Sequence, residues 1–395
     1  FVVFDGGGGE LIFDEDNDLV PGSADGSYNT SGYTSCSENG LCGCGIVGLF
    51  AGADPEAPTG NAISEYHTGI FRLSDDHGAN WHGCENGGDA STGCADDGLG
   101  YYFIPDSVFD EIVDTFDDNG SSPVEDPCDG TSYTLDDFWT GYELDFKVDS
   151  NGNPHYLMQV YACESVEGYC FSVPESGLYH FTADRDQLGQ EGAWQWSKVM
   201  TAEYTWGFDD NSATSYFYNN SSSLAFSKDN PSIVYVVTGM AQPGDPDPNA
   251  PLDPSDEGYC EHIETVLDYP SWSEDIFVIK SVDGGQTWWN PLNITNTPDE
   301  TGGSCPGGLG LIKCDPAETY PHAYQWATDN EVFIMYQTPN WGFNEIGDLT
   351  SADFMNRVFV GAATVNDSNI PEYGSGSGCY AEPGELNDDG TINVQ

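Results

Sequence analysis

The chain has 395 residues, of which 67 are Asp or Glu and 8 are Lys or Arg, so its formal net charge at pH 7 is −59. This charge excludes nucleic-acid binding, because a nucleic-acid ligand needs Lys and Arg to replace its phosphate counterions, and it opposes binding to anionic lipid. No apolar run approaches the ~20 residues that a membrane-spanning helix requires, so we expect no membrane insertion.

The composition predicts a folded, all-β protein. Hydrophobic residues make up 38% of the chain and aromatic residues 13%, whereas disordered acidic segments are poor in aromatic residues. The 48 Gly and 23 Pro, with few long helical patterns, predict many strands joined by many turns. The chain starts with Phe rather than Met, and we therefore expect the mature form of an exported protein, outside the cell or at its surface.

An acidic segment near the N-terminus is a candidate calcium site. Asp14, Asp16 and Asp18 occupy alternate positions, which is the spacing of oxygen ligands in calcium-binding loops. The alternative is a solvated acidic loop, since such runs also arise by chance in so acidic a chain. Calcium is the one cofactor that the sequence suggests.

The twelve cysteines predict disulfides that close surface loops. Three pairs lie close together in the chain: Cys84 with Cys94, Cys163 with Cys170, and Cys305 with Cys314. Cys36, Cys42 and Cys44 share one Gly-rich stretch. An even number of cysteines in an exported chain favours disulfides. Zinc is the alternative, but Cys42 and Cys44 lack the C-x₂-C spacing of common zinc sites.

Two segments share the pattern S-x-D-x-G-x-x-W after an alternating apolar strand. The residues are Ser74, Asp76, Gly78 and Trp81 in the first corner (residues 74–81), and Ser281, Asp283, Gly285 and Trp288 in the second corner (residues 281–288). In such a turn the carboxylate accepts backbone N–H bonds, the hydroxyl adds a local bond, and Gly takes a positive φ. We expect the Trp ring to cover the base of the hairpin.

The two corners resemble the Asp-box, or BNR, repeat of sialidase-like β-propellers. The resemblance implies four-stranded antiparallel blades around an axis. Four blades are legible in the sequence, and because other stretches fit none of them we expect a total of five to seven. Four segments, which we call cassettes, each show the succession of strands and turns expected of one blade. They lie at about residues 45–90, 143–200, 224–292 and 320–365. The stretch 92–142 fits none of them and is either a degenerate blade or a decorated loop, and the stretch 240–272 is predicted to be a long loop.

The two chain ends are assigned separate roles. The last cassette shows three strands and no corner, so the apolar N-terminal segment is predicted to supply a strand that closes the ring or docks on a neighbouring subunit. The propeller is predicted to span residues 1–365, and a Gly/Ser-rich tail residues 366–395. In the tail, Asn387 and Asp389 resemble the front of a dockerin or EF-hand calcium loop, which here lacks its acidic twelfth position.

No catalytic residue is assigned from the sequence. The resemblance to sialidases implies a cluster of three Arg, and the chain contains Arg72, Arg185 and Arg357. Arg72 lies on the strand that leads into the first corner. For Arg185 we expect a neighbouring carboxylate, such as Asp184 or Asp186, as partner.

The sequence favours a non-catalytic, secreted or cell-surface propeller that acts as a structural or adhesive module and assembles into a filament through its termini. Its partners would then be copies of itself or cell-surface glycans. Residues 276–298 resemble propellers of bacterial surfaces, which suggests a bacterial source. The alternative is a glycan-binding or glycan-cleaving, sialidase-like enzyme.

Overall fold

The computed structural model describes residues 2–4, 11–13, 33–49, 67–84, 89–94, 101–118, 124–125, 132–135, 137–163, 170–171, 176–201, 222–242, 273–295, 318–339 and 356–366. The predicted calcium ligands Asp14, Asp16, Asp18, Asn387 and Asp389, the pair Cys305 and Cys314, and the tail beyond Asn366 lie outside these ranges.

The described chain starts with a hairpin and a first antiparallel sheet. The hairpin pairs β1 (Val2–Phe4) with β2 (Leu11–Phe13). Sheet 1 contains, in hydrogen-bonded order, β3 (Tyr33–Cys36), β4 (Cys42–Leu49), β5 (His67–Ser74) and β6 (Tyr102–Phe103). The helix α1 (Asp106–Asp118) follows, and then a small hairpin of β7 (Val124–Glu125) and β8 (Ser132–Tyr133).

Three further sheets follow in chain order. Sheet 2 contains β9 (Asp137–Val148), β10 (Pro154–Cys163), β11 (Cys170–Phe171), β12 (Gly177–Ala183) and β13 (Trp194–Thr201), paired as β9-β10-β12-β13 with β11 on the end of β10. Sheet 3 runs through β14 (Ser223–Ser227), β15 (Val234–Gln242), β16 (Ser273–Ser281) and β17 (Leu292–Asn293). The last strands are β18 (Thr319–Ala323), β19 (Trp326–Ala327), β20 (Glu331–Pro339) and β21 (Asn356–Thr364), of which β18, β20 and β21 form sheet 4.

Each sheet packs face to face on the next one in the chain. One buried apolar cluster joins sheets 1 and 2 and helix α1, a second joins sheets 2 and 3, and a third joins sheets 3 and 4. Buried members of these clusters are, in that order, Phe71 and Phe146, Leu157 and Phe226, and Val278 and Val332. Sheets 2 and 3 are apolar on both faces because each lies between two other sheets.

The first strands of all four sheets meet at one place. The side-chain amide of Gln325, which follows β18, donates to the carbonyl of Cys36 at the end of β3 (3.2 Å) and to that of Val148 at the end of β9 (2.9 Å). Lys228, which follows β14, pairs with Glu38 at 2.6 Å. Sheets that stack in sequence and converge at their first strands are arranged radially, so the protein is a β-propeller with four blade sheets in the described part of the chain.

The four sheets confirm the four predicted cassettes, including the three-stranded last one. Two details differ from the prediction. Sheet 1 begins at Tyr33, earlier than expected. The short strand at Trp326 lies within the last predicted cassette but pairs in parallel with β14 of sheet 3, opposite Phe226. It joins sheet 3 because the backbone of Ala225–Ser227 offers an open inner edge beside it.

The stretch 92–142 is a decorated connection between sheets 1 and 2 and not a degenerate blade. It contains the last strand of sheet 1, helix α1, the β7–β8 hairpin and the start of β9. In the helix, Val108, Phe109 and Ile112 are spaced for one face and are buried. Phe109 stacks on Phe138 at 4.6 Å between ring centroids. In the described ranges, no helix has the length and apolar character needed to cross a bilayer.

The predicted disulfides are present where the chain is described. Cys84 and Cys94 are bonded to each other as predicted, and Cys36 is bonded to Cys42. Cys163 is disulfide-bonded, and the register of β10 and β11 places it opposite Cys170. Cys44 keeps a free, buried thiol, to which the Thr34 hydroxyl donates at 3.5 Å.

Candidate functional site

The first corner is closed by hydrogen bonds from its own residues. The Ser74 hydroxyl donates to the Asp76 carboxylate at 2.8 Å and accepts the Gly78 backbone N–H at 2.9 Å. The carboxylate also accepts the backbone N–H of Asn80 at 2.8 Å. These bonds, above all those from Asn80, lower the pKa of Asp76 to about 2. Gly78 has a φ of +83°, which L side chains rarely adopt.

The second corner has the same geometry. The Ser281 hydroxyl donates to Asp283 at 2.8 Å and accepts the Gly285 N–H at 2.8 Å, and Asp283 accepts the Thr287 N–H at 2.9 Å. Burial raises the pKa of Asp283, but the hydrogen bonds, those from Thr287 first, outweigh burial and hold that pKa below its ordinary value. Two segments far apart in the chain thus form one repeated turn, and every bond named here is internal to its corner.

The second corner also contacts the neighbouring sheet. The indole N–H of Trp288 donates to the Ser197 hydroxyl on β13 at 2.8 Å, and the ring meets His180 edge-on at 5.4 Å. We expected the Trp ring to cover the base of its own hairpin, but the ring of Trp288 packs on sheet 2. In the first corner, Trp81 lies beside Gly78. The second corner therefore joins two sheets.

A chain of buried titratable groups lies beside this junction. The Asp149 carboxylate is 3.7 Å from Nε2 of His155, and Nδ1 of His155 is 2.8 Å from Nε2 of His180. Nδ1 of His180 is 3.3 Å from the carbonyl of Gly285. Burial holds the pKa of His180 well below its usual value. Burial raises the pKa of Asp149, but the contact with His155 leads the interactions that leave it lowered.

This His pair has the composition of a catalytic relay but the surroundings of a structural contact. His155 and His180 are 3% and 0% exposed, so solvent and substrate do not reach them. The series of side-chain contacts ends at the backbone carbonyl of Gly285, which can accept a hydrogen bond but cannot act as an acid, base or nucleophile. The arrangement links sheet 2 to the second corner on sheet 3.

Two lysines, the partly buried Lys147 and the buried Lys280, join the sheets at other places. The Lys147 ammonium pairs with Asp145 at 2.9 Å and donates to the carbonyl of Ala323 at 3.2 Å, which connects sheets 2 and 4. The Lys280 ammonium donates to the carbonyls of Asp329 (2.7 Å) and Val365 (3.2 Å), which connects sheets 3 and 4. Two of the eight basic residues of the chain thus bind backbone carbonyls at sheet junctions.

Arg72 and Arg185 have structural partners. The Arg72 guanidinium lies 4.1 Å from the centroid of the Tyr101 ring. Arg185 pairs with the Asp75 carboxylate and donates to the carbonyl of Gly152 at 3.2 Å. Its expected partners were its sequence neighbours, but the packing of the first corner on sheet 2 brings Asp75 closer. Arg357 lies on β21 opposite Thr338 in the strand register.

Metal ligands do not cluster in the part of the chain that the structure describes. There, no group of three or more His, Cys, Asp or Glu side chains is arranged to hold a metal ion. The predicted calcium ligands lie outside that part, so calcium binding stays a prediction.

Sheet 4 differs from the other sheets because one of its faces is apolar and exposed. The face contains Phe333 and Met335 of β20 and Val358 and Val360 of β21, and we call these four residues the sheet-4 face. The register pairs Met335 with Val360 and places the four side chains on one side of the sheet. Their exposed fractions are 42%, 37%, 57% and 78%.

Exposed apolar side chains are concentrated on this sheet. Seven of the eight large hydrophobic residues that are exposed in the described ranges belong to it or to its loops: Tyr320, Tyr324, Phe333, Met335, Val358, Phe359 and Val360. The eighth, Val282, lies in the second corner. Glu331 is the one carboxylate among the residues that β20 and β21 place on this side.

This face was not predicted from the sequence, although the sequence contains a signal for it. Residues 332–336 are apolar without alternation, as are residues 358–360. Strands without alternation are typically buried on both sides. The opposite side of sheet 4 is buried at Val332 and Ile334, which belong to the cluster shared with sheet 3, whereas Phe359 on that side is exposed. The sheet-4 face has the sequence of a buried surface and is open to solvent.

Comparisons with known proteins return structural likeness alone. No protein-family model matches the chain, and no curated protein matches it. The solved structures that resemble it include polysaccharide lyase Uly1, at 11% identity and a TM-score of 0.38 over 85% of this chain and 46% of that one. The levansucrase of Gluconacetobacter diazotrophicus matches at 12% identity and a TM-score of 0.36, over 88% of this chain and 63% of that one.

A third similar structure is NanB sialidase from Streptococcus pneumoniae, at 9% identity and a TM-score of 0.29, over 87% of this chain and 60% of that one. The chain therefore spans between about half and two thirds of the length of these three proteins. At such scores the likeness adds no argument about activity, and the fold assignment rests on the sheets described above.

Proposed function

We propose that the protein is a non-catalytic, secreted β-propeller that serves as a structural module and associates with copies of itself through the sheet-4 face. The observation that carries this proposal is the exposed apolar surface of Phe333, Met335, Val358 and Val360. Exposed apolar patches of this kind mark interaction sites, because their contact with water is unfavourable.

The charge of the chain restricts where a second copy can dock. Two molecules that each carry a net charge of −59 repel each other over most of their surfaces. Glu331 lies at one end of the sheet-4 face, and the rest of that side of β20 and β21 carries no carboxylate. Association through this face therefore buries apolar area and brings few charges together.

The chemistry of the polar contacts supports a structural role. Asp145, Lys147 and Lys280 bind backbone groups of neighbouring sheets. The His155–His180 pair contacts sheet 3 through His180, which lies against the carbonyl of Gly285. We propose that the two corners are Asp-box repeats that help to fix these sheets. The disulfides suit an extracellular or cell-surface setting, for which a bacterial surface is our proposal. We also propose that Ca²⁺ binds the acidic segment with Asp14, Asp16 and Asp18, and that Asn387 and Asp389 of the tail form a second, partial calcium loop.

The test compares two variants by sedimentation and light scattering over a range of protein concentration in 1 M NaCl. Val360→Asp places a charge on the sheet-4 face, and we expect the dissociation constant of self-association to rise at least about tenfold. Val282→Asp is the matched control, since Val282 is also exposed but lies on the second corner. We expect it to associate like the unchanged protein.

Either of two results would contradict the proposal directly, and a third would remove the role of the sheet-4 face. One is an unchanged protein that stays monomeric at high concentration. The other is turnover of a sialoside or a polysaccharide from a substrate panel, which would instead favour the glycan-active alternative. If Val282→Asp weakened association as much as Val360→Asp, added charge alone would explain the result, and the sheet-4 face would lose its role.

A further inference from the structure

The β1–β2 hairpin has the composition of a buried element. It pairs Val2 with Phe13, Val3 with Ile12 and Phe4 with Leu11 in an antiparallel register. All six residues of the two strands are apolar, so both sides of the hairpin are apolar by sequence. Among the strands that the structure describes, the hairpin pairs with no strand other than its own two.

A hairpin of this kind needs a partner. An isolated two-stranded hairpin is at best marginally stable in water, and three or more strands or a packing surface are needed for stability. Alternation with polar residues would let one side face solvent, but β1 and β2 have none. The strand pairing alone does not account for the apolar composition.

Sheet 4 has the complementary deficiency. It contains three strands in the described part of the chain, whereas sheets 1, 2 and 3 contain four or more. Its last strand, β21, pairs with β20 along Asn356–Thr364 and forms the outer edge of the described sheet. A strand edge pairs readily with another extended segment through backbone hydrogen bonds.

We propose that the β1–β2 hairpin of one copy adds to the β21 edge of a second copy and thereby brings the first copy against the sheet-4 face. This inference rests on the proposed function and names the element that completes the contact. The hairpin and sheet 4 are different surfaces, so the contact is heterologous. The copy that donates its hairpin still has an unused β21 edge, and the copy that accepts it still has an unused hairpin. Repetition of such a contact gives an open filament.

The test uses two complementary defects in the full chain. Ile12→Asp introduces a charge into the hairpin and leaves sheet 4 intact. Val360→Asp introduces a charge into sheet 4 and leaves the hairpin intact. We expect each variant alone to associate at least about tenfold more weakly than the unchanged protein. An equimolar mixture of the two retains one intact hairpin and one intact face, and we expect it to form a one-to-one dimer that does not grow further.

The outcomes separate this inference from the proposed function. Only a contact between a hairpin and a different sheet-4 edge predicts that mixing the two variants restores association. A mixture that stays as weakly associated as its components would therefore overturn the inference. An Ile12→Asp variant that associates like the unchanged protein would also overturn it, while the role of the sheet-4 face would stand. Equal melting temperatures of the two variants and the unchanged protein, measured by circular dichroism, show that folding is retained.

Discussion

Single residues at the sheet junctions carry most of the polar contacts that position the blades. The clearest case is His180, which is fully buried between His155, Trp288 and the carbonyl of Gly285. Burial disfavours the charged imidazolium, so the pKa of His180 lies well below its usual value. The folded protein therefore holds this ring neutral at pH values where the unfolded chain takes up a proton.

The low pKa of His180 predicts a loss of stability between pH 7 and pH 5.5. An unfolded His titrates near pH 6.5, so the contribution of neutral His180 is complete above that value and decreases as the pH falls toward the folded pKa. The free energy of unfolding then falls by up to about 1.4 kcal/mol for each pH unit below 6.5. Urea unfolding at a series of pH values measures it. The lowered pKa of Asp149 matters only at more acidic pH, below the ordinary Asp value near 3.9.

Two Asn variants separate His180 from the other histidines. His180→Asn removes the titrating ring, and we expect lower stability overall with a weaker dependence on pH. His82→Asn is the control, because His82 is partly exposed and pairs with Asp75 at the surface at 3.0 Å. A pH profile of His180→Asn that is parallel to that of the unchanged protein would show that another group causes the dependence.

Residue contacts could be predicted where they are local. The hydrogen bonds of Ser74 with Asp76 and Gly78 follow from the spacing of the motif, because the partners lie within four positions of each other. The contact of Trp288 with Ser197 could not be predicted, since it depends on how sheet 2 and sheet 3 pack. The same is true of Arg185 and Asp75, which are distant in the chain.

At the scale of elements, the glycines of sheet 1 allow sheet 2 to approach closely. A Cβ added to Gly43 would lie 2.7 Å from the Phe146 ring, and one added to Gly69 would lie 2.8 Å from the Tyr156 ring. Gly45 lies between them and faces the same two rings. The Tyr156 hydroxyl uses this space to donate to the carbonyl of Ile70 at 2.9 Å. Strand glycines of this kind mark close approach between layers.

We therefore expect Gly45→Ala to lower the free energy of unfolding by about 1–3 kcal/mol, because the added methyl group would displace the rings of Phe146 and Tyr156. Thermal and urea unfolding measure the loss. Gly361→Ala is the matched control, since Gly361 also lies in a strand but a Cβ there would meet nothing within 4 Å. If both variants were equally destabilised, backbone preference rather than sheet packing would be responsible.

Elements were predictable where their pattern was regular. The strands of sheets 2 and 3 follow from apolar segments separated by turn residues, such as Asp149 and Gly152 between β9 and β10. Helix α1 was not predicted, because the high Gly and Pro content indicated strands and turns throughout. Val108, Phe109 and Ile112 nevertheless have helical spacing. The parallel pairing of β19 with β14 could not be foreseen, since two-residue strands carry no periodicity.

At the scale of the whole molecule, charge and assembly are connected. The chain has 67 acidic and 8 basic residues, so its carboxylates repel one another both within one molecule and between neighbouring molecules. Salt screens this repulsion, and an apolar contact such as the sheet-4 face strengthens relative to the repulsion as ionic strength rises. The radial arrangement of the blades could be predicted because the two corners resemble a known propeller repeat. The open face of sheet 4 could not be predicted, because it depends on the final position of every sheet.

We expect the melting temperature to rise by roughly 5 °C between 0.1 and 1 M NaCl, since the Debye length shortens from ~10 Å to ~3 Å and screens the carboxylates from one another. Calorimetry at low protein concentration measures the rise without assembly.

CaCl₂ at the same ionic strength tests the proposed ion separately: it should raise the melting temperature further, and Asp16→Asn should abolish the difference. Equal values in the two salts would contradict calcium binding but not screening. A melting temperature that does not change with NaCl would show that repulsion among the 67 acidic residues is not a large term in the stability of this fold.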